Sequence, residues 1–128
     1  GTQVDAVLSP NDSLALGIAQ ALQGAGYAAG PDYPVITGQD ADKANVLNMN
    51  AGLQSMSVWK DTRALGDRVA TMIDSIVNGD EVEVNDTDTY DNGEKTVPTY
   101  LLDPQVITPD NVDVLVESGY YKASDIGL

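Results

Sequence analysis

Three short runs of aliphatic and β-branched residues, each followed by polar residues, restrict the fold of this chain more than any other feature. They lie at residues 4–8, 35–37 and 53–59, and the first two lead into stretches with helical spacing. Parallel strands need long crossover connections, usually helices, whereas antiparallel strands can be joined by tight turns. Strands that alternate with helices of about ten or more residues therefore predict an α/β fold, with a parallel sheet flanked by helices in three layers.

Asn11, Asp40 and Lys60 would lie at the ends of these three predicted strands. In an open parallel sheet, ligands bind just beyond the carboxyl ends of the strands. Each residue also has a simpler structural explanation, because Asn and Asp are good helix N-caps and an isolated lysine is most often exposed to solvent. Taken one at a time, the structural explanation is favoured for each of them.

The helices after the first two runs are predicted from their caps and their apolar spacing. Asn11, Asp12 and Ser13 are all good N-cap residues for the first helix, and Asp40 or Asp42 caps the second. The stripes predicted to face the core are Leu14, Ile18 and Leu22 in the first helix, and Ala44, Leu47 and Ala51 in the second. Strand alternation points Trp59 away from Lys60, so this tryptophan is assigned to the core.

The longest predicted helix begins at Asp61 or Thr62 and ends at Asn78-Gly79. Its apolar stripe consists of Leu65, Val69, Ile73, Ile76 and Val77. Five large aliphatic side chains correspond to about 10 kcal/mol of burial, so we expect another surface to cover them. Two arrangements would cover the stripe. The helix folds back over the chain's own sheet, or it packs against a second copy of the chain in a homo-oligomer, and we favour the homo-oligomer.

Residues 80–94 are rich in Asp, Asn and Thr and form the one candidate calcium site in the sequence. An EF-hand loop that begins at Asp86 would have Tyr90 and Asp91 where Asp or Asn and then Gly are needed, and the register that begins at Asp88 fails as well. A solvated acidic hairpin that turns at Asn92-Gly93 is therefore favoured.

Two further elements are predicted in the last third of the chain. Residues 97–102 are predicted as an extended segment at an edge or crossing, because they include Pro98. Thr108 and Pro109 are typical of the N-cap and first position of a helix, which would extend to about Ser118. Its inward residues would be Val112, Leu115 and Val116.

Composition excludes several classes of function. The 128-residue chain is long enough for one domain with a core, and it contains no cysteine and no histidine. Histidine-based triads, thiol nucleophiles and Cys/His zinc sites therefore cannot form within it, and no cofactor is expected. Six Lys and Arg against twenty Asp and Glu give a net charge of −14, which argues against nucleic acid and anionic membranes as partners.

Several motifs together resemble the C-terminal part of the periplasmic sugar-binding proteins of ABC transporters, within the branch of xylose-binding and multiple-sugar-binding receptors. They are SPND before the first helix, GQDAD before the second, QSMSVWK at the third strand and NGEKTVPTYLLDPQVIT near the end. The loop at residues 24–33, GAGYAAGPDY, looks longer than the connection usual in that family. The resemblance implies a type I periplasmic binding protein fold, in which two lobes close on a sugar by hinge motion.

The resemblance also implies how the chain is divided between those lobes. Residues 1–59 would be the first part of the C-terminal lobe, and residues 98–128 would be the return to it. Residues 60–97 would contain a crossing segment, a helix that belongs to the other lobe and the acidic hairpin. The N-terminal lobe of the same protein and the permease of the transporter would be partners.

In the family, the Asn of the ND pair, the Asp of a GxDA turn and a polar residue twenty positions later contact the sugar. Here these positions are Asn11, Asp40 and Lys60. Their spacing and their shared place at strand ends reverse the preference for a purely structural role. The implied function is binding of a monosaccharide, an aldopentose or aldohexose such as xylose, by a non-enzymatic periplasmic or extracellular receptor, with or without a lipid anchor.

Two other functions compete with this interpretation. The effector domain of a sugar-responsive repressor shares the two-lobed fold, but it would be accompanied by a basic helix-turn-helix segment that this sequence lacks. A carboxylate-dependent glycosidase needs two Asp or Glu residues that face one bond, and only Asp40 is well placed for that.

Overall fold

Residues 3–128 are described by a computed structural model, in which short strands and helices alternate along the first half of the chain. The strands are β1 (Ala6–Val7), β2 (Val35–Ile36), β3 (Ser57–Trp59) and β4 (Gln105–Ile107). The helices are α1 (Asp12–Gly24), α2 (Lys43–Asn50), α3 (Thr62–Asn78) and α4 (Val114–Glu117), followed by a short 3-10 helix (Ala123–Asp125). The chain forms two compact units. The first contains the chain up to Trp59 together with Pro104–Leu128, and the second is Lys60–Asp103.

The strands of the first unit combine parallel and antiparallel pairing. Strand β1 pairs in parallel with β2, with Val7 opposite Ile36, and a parallel bridge between Gln39 and Val58 continues the sequence of pairings to β3. The parallel arrangement predicted for the first three strands is thus present. Strand β4, which runs antiparallel to β3, was not predicted, because three residues that follow Pro104 give almost no period-two pattern.

The predicted core stripes of α1 and α2 are largely wrong. Leu14, Ala44, Leu47 and Ala51 are exposed, and only Leu22 of the predicted set is buried. The buried side chains are Asp12, Ala15, Ala19 and Leu22 in α1, and Asn45, Val46 and Met49 in α2. Helices α1 and α2 contact each other. Small and polar residues therefore occupy much of the packed faces. Spacing rules that select large aliphatic side chains do not predict such faces.

The core of the first unit consists of two clusters. One contains Ala15, Ala19, Leu22 and Ile36, which join α1 to β2. The other contains Ala41, Val46, Met49, Trp59, Ile107, Val112, Leu115 and Ile126. Trp59 is buried, as predicted, and its ring meets Tyr120 edge-on with the centroids 5.2 Å apart.

The predicted helix from Thr108 is wrong over its first half. Residues 109–113 form turns, and α4 begins only at Val114. The side chain of Asn111 explains this: Oδ1 accepts a hydrogen bond from the Thr108 backbone N–H (2.7 Å), and Nδ2 donates to the Val106 carbonyl (3.0 Å). A side chain that satisfies nearby backbone groups offers an alternative to the helix.

In the second unit, α3 has the predicted bounds. Asp61 caps it by accepting a hydrogen bond from the Arg63 N–H (3.0 Å), and Gly79 ends it with a φ of 76°. The apolar side chains of its stripe are between 46% and 77% exposed: Leu65, Val69, Ile73, Ile76 and Val77. None of these five is buried within the described chain, and which surface covers the stripe stays a prediction.

After α3, residues 80–103 form an irregular segment with antiparallel bridges at Asp86–Thr99 and Asp91–Thr96. The predicted turn at Asn92-Gly93 is present, because Oδ1 of Asn92 accepts hydrogen bonds from the backbone N–H groups of Glu94 and Lys95. Within residues 3–128, no group of three acidic side chains is arranged to hold a metal ion. No helix in the same range has the length and apolar character needed to cross a membrane.

Candidate functional site

The turn between β2 and α2 carries Asp40 in an unusual backbone conformation. Asp40 has a φ of 107° and the next residue, Ala41, a φ of 54°. Non-glycine residues in such regions cost about 1–3 kcal/mol each and persist only where the surrounding structure holds them. Such strain is concentrated at binding and active sites, so the turn is a candidate site independently of any motif.

Hydrogen bonds donated by three successive backbone N–H groups hold this turn in place. The Asp40 N–H donates to the Val58 carbonyl (2.8 Å), and the Ala41 N–H donates to Oγ of Ser57 (3.0 Å). The Asp42 N–H donates to Oδ2 of Asp12 (2.8 Å). The backbone that presents the Asp40 side chain is therefore tied to β3 and to the first residue of α1.

Asp12 lies at the centre of a buried polar network that was not predicted from the sequence. Its side chain is fully buried, and Oδ1 accepts hydrogen bonds from Nε2 of Gln54 (3.0 Å) and Oγ of Ser57 (2.9 Å). Nδ2 of Asn45 donates both to the Asp12 carbonyl and to Oε1 of Gln54, each at 2.7 Å. Burial raises the pKa of the Asp12 carboxyl above its usual value, while its hydrogen bonds act in the opposite direction.

A signal for this network was present in the sequence. Ser57 and Trp59 are two residues apart on β3 and so face the same side of the strand, which the assignment of Trp59 to the core makes the inward side. A polar residue on an inward face needs a hydrogen-bonding partner. The alternation therefore predicts that Ser57 has a buried polar partner, but it does not identify which residue that partner is.

Asn11 caps a helix, as its structural explanation predicts, and the amide nitrogen of its side chain is still available to a ligand. It is the N-cap of α1, and its Oδ1 accepts a hydrogen bond from the Leu14 N–H (2.9 Å). No described residue forms a hydrogen bond with its Nδ2, which leaves two donors for a ligand. The next backbone N–H, that of Asp12, donates to the Gln39 carbonyl (2.9 Å), so the segments that carry Asn11 and Asp40 are directly linked.

Lys60 follows the last residue of β3 and is the first residue of the second unit. Its side chain is exposed, as is that of Asp40. Within the second unit, Lys60 lines a cavity of about 280 Å³ together with Leu65, Tyr100 and Leu102. That Lys60 joins Asn11 and Asp40 in one ligand site stays a prediction.

The accessible groups of the first unit suit a polar, uncharged ligand. A carboxylate accepts hydrogen bonds from two neighbouring hydroxyl groups, and an amide nitrogen donates two. Asp40 and Asn11 offer these groups on segments that the hydrogen bond from Asp12 to Gln39 connects. Groups of these types match the hydroxyl groups of a polyhydroxylated molecule.

Comparisons with known proteins point to one family. Residues 1–81 match the model of the periplasmic binding protein domain. Over 96% of its length the chain is 46% identical to the multiple sugar-binding periplasmic receptor ChvE of Rhizobium radiobacter, of which it covers 35%. It is 34% identical over 97% of its length to the D-xylose-binding periplasmic protein of Escherichia coli (strain K12), of which it covers 36%.

A solved structure gives the same result. An ABC transporter solute binding protein from Clostridium phytofermentans with bound β-D-glucose is 49% identical, with a TM-score of 0.87 over 98% of this chain and 38% of that chain. The chain thus spans about a third of the length of the relatives that it matches. The predicted α/β fold of type I periplasmic binding proteins is confirmed. The chain belongs to the periplasmic binding protein family.

Proposed function

We propose that this chain is part of a sugar receptor of an ABC transporter, and that Asp40, Asn11 and Lys60 contact the sugar. The ligand is a monosaccharide, an aldopentose or aldohexose such as xylose. The observation that carries the proposal is the strained turn, which presents an exposed Asp40 just beyond β2 and hydrogen-bonds to β3. Ligands of open α/β folds bind beyond the carboxyl ends of parallel strands.

The chemistry of these three residues matches a sugar hydroxyl, which both donates and accepts hydrogen bonds. The Asp40 carboxylate accepts from two adjacent hydroxyls, and hydrogen bonds to charged groups contribute about 1.5–3 kcal/mol each. Asn11 donates through Nδ2, because its Oδ1 is occupied by the cap of α1. Lys60 donates and partly neutralises Asp40 when the site closes.

Preorganisation favours this assignment over a role for Asp40 as a simple cap. Helix α2 begins after Asp42, not after Asp40, so Asp40 is not needed to start the helix. Three backbone hydrogen bonds fix residues 40–42 before a ligand arrives. A group that is already in its bound geometry loses less entropy on binding.

The proposal extends to the setting in which such a receptor works. The names of the relatives place them in the periplasm, and a periplasmic or extracellular location follows for this chain under the proposal. The receptor binds without chemical conversion and delivers its sugar to the permease of the transporter. The repressor alternative is not favoured, because the relatives named above are periplasmic receptors and a transporter component.

A thermal-shift panel of aldopentoses and aldohexoses tests the proposal on the full-length protein. Under the proposal, that protein also contains the regions of its relatives that this chain does not match. A ligand that binds only the folded state stabilises it by about 4 kcal/mol at a thousand times its Kd. We expect at least one sugar to raise the Tm, and Asp40→Ala to abolish that rise.

Asp110→Asn is the control variant, because Asp110 is an exposed carboxylate in a turn after β4 and loses the same charge. It should keep the ligand-dependent rise in Tm. The proposal is wrong if no sugar in the panel raises the Tm, or if Asp40→Ala responds to the sugar as strongly as Asp110→Asn.

A further inference from the structure

We infer that Asp12 is a positioning residue for the proposed sugar site, and that its buried carboxylate holds the strained turn that presents Asp40. The inference rests on the proposed function of Asp40 as a sugar ligand. Asp12 is fully buried and so does not reach the sugar itself. It would act on binding through the backbone of residues 40–42.

Two routes lead from the Asp12 carboxylate to this backbone. Oδ2 accepts directly from the Asp42 N–H (2.8 Å). Oδ1 accepts from Oγ of Ser57 (2.9 Å), and the same Oγ accepts from the Ala41 N–H (3.0 Å). The two residues that follow Asp40 are therefore anchored to one carboxylate, one directly and the other through a single hydroxyl.

The network requires an acceptor with two oxygens at this position. The Asp42 N–H, the Gln54 amide and the Ser57 hydroxyl all donate to Asp12. Gln54 cannot easily turn its amide around, because its Oε1 already accepts from Asn45 (2.7 Å). The Ser57 hydroxyl, which already accepts from the Ala41 N–H, could accept a second hydrogen bond, but its own proton would then lose the acceptor that Oδ1 of Asp12 provides.

An asparagine at position 12 would therefore place an NH₂ group against one of these donors. Either the Asp42 N–H or the pair formed by Gln54 and Ser57 would lose its acceptor. The space offers little relief, because a Cβ atom added at Gly38 would already collide with Oδ1 of Asp12 and Nε2 of Gln54. A neutral side chain of the same shape is thus not equivalent to Asp12, and the turn should relax in its presence.

The carboxylate is also held without a cationic side chain. Among the described residues, no Lys or Arg pairs with Asp12. It is the first residue of α1, where the partial positive charge of the helix N-terminus favours an anion. The hydrogen bonds that it accepts from the turn, from Ser57 of β3 and from Gln54 are then the main compensation for its burial, which couples the charge of Asp12 to the geometry of residues 40–42.

A double-mutant cycle in the full-length protein tests the inference, with Asp12→Asn, Asp40→Asn and the double variant titrated with D-glucose and D-xylose. If Asp12 acts through Asp40, Asp12→Asn should weaken binding about tenfold in the wild-type background and less than about threefold in the Asp40→Asn background. Proton–nitrogen NMR should show the amide signals of residues 40–42 shifted in Asp12→Asn before any sugar is added.

Leu22→Ala separates positioning from stability. Leu22 lies in the cluster with Ile36, and that cluster does not include residues 40–42. Its truncation should therefore lower the Tm with little change in affinity. The inference is overturned if Asp12→Asn weakens binding equally in both backgrounds, or if its affinity loss matches that of Leu22→Ala at equal loss of Tm.

Ser57→Ala keeps the test open if Asp12→Asn does not fold. It removes the indirect route to Ala41 and leaves the direct bond from Asp12 to Asp42. We expect a loss of affinity that again shrinks in the Asp40→Asn background, and equal losses in both backgrounds overturn the inference. Different results would refute the proposed function itself: the wild type would bind neither sugar, or Asp40→Asn would retain wild-type affinity.

Discussion

Gly38 and Asp12 show how closely the backbone of the turn approaches the buried network. Gly38 precedes the strained pair of Asp40 and Ala41, and it is buried. A side chain there would occupy the space of Oδ1 of Asp12 and Nε2 of Gln54. Glycine is therefore required at this position by lack of space and not by backbone conformation, because its φ lies outside the left-handed region.

Gly38→Ala should destabilise the protein by about 3 kcal/mol, because overpacking and the loss of a buried hydrogen bond both contribute. Gly17→Ala is the matched control: Gly17 lies in α1, and nothing lies within 4 Å of a Cβ atom built there. It should leave stability unchanged or raise it by up to about 1 kcal/mol through helix propensity. Urea unfolding measures both, and equal effects of the two substitutions would contradict the crowding at Gly38.

Asp12 could not be assigned from the sequence for a physical reason. Asn, Asp and Ser have similar N-cap preferences, so local rules do not separate positions 11, 12 and 13. What distinguishes Asp12 is its partners, Gln54 and Ser57, which are 42 and 45 positions away along the chain. The strain at Asp40 was equally hidden, since nothing in GQDAD marks a non-glycine residue with positive φ. Asn11 and Asp40 were predicted from their place after strands and from their match to the family's motifs.

Helix α3 was predicted with its correct bounds because its signals are local. Asp61 caps one end and Gly79 the other, and the apolar stripe between them has regular helical spacing. The stripes of α1 and α2 were wrong because their packed faces depend on neighbours distant in sequence, which select Ala15, Ala19 and Asn45. Capping is decided within one turn of helix, whereas the choice of the buried face is decided by tertiary packing.

The exposed stripe of α3 leads to a prediction about association of this 128-residue chain in isolation. Its five aliphatic side chains are about half exposed or more, and covering them would contribute about 5 kcal/mol. We expect the isolated chain to form a homo-oligomer, and Ile73→Lys to shift it to a monomer by placing a charge in the stripe. Light scattering with size-exclusion chromatography measures the mass of each.

Thr71→Lys is the control for that experiment, because Thr71 is exposed on the face of α3 opposite the stripe and receives the same charge. It should remain an oligomer. A monomeric wild-type chain, or two variants that dissociate to the same extent, would show that the stripe does not drive association.

Under the proposed function, this chain supplies only part of a sugar receptor. It spans about a third of the length of its relatives, and its site residues lie at or near the surface. Its net charge of −14 gives a sugar, which is uncharged, no electrostatic attraction. The proposed sugar binding would therefore depend on hydrogen bonds that are protected from water, and these need a surface that closes over the ligand.

Binding should consequently be weak or undetectable when this chain is isolated, even if the full-length protein binds tightly. Asp40 and Lys60 are exposed, so in the isolated chain their hydrogen bonds to a sugar compete with bulk water. Calorimetric titration of the chain with the sugar that most raises the Tm of the full-length protein measures the difference. We expect a Kd of about 1 mM or weaker, which is a binding free energy of about −4 kcal/mol or less favourable. The full-length protein titrated under the same conditions is the reference, and Asp40→Ala in the isolated chain identifies any residual specific binding. A micromolar Kd for the isolated chain would mean that Asn11, Asp40 and their neighbours form a complete site without a closing surface.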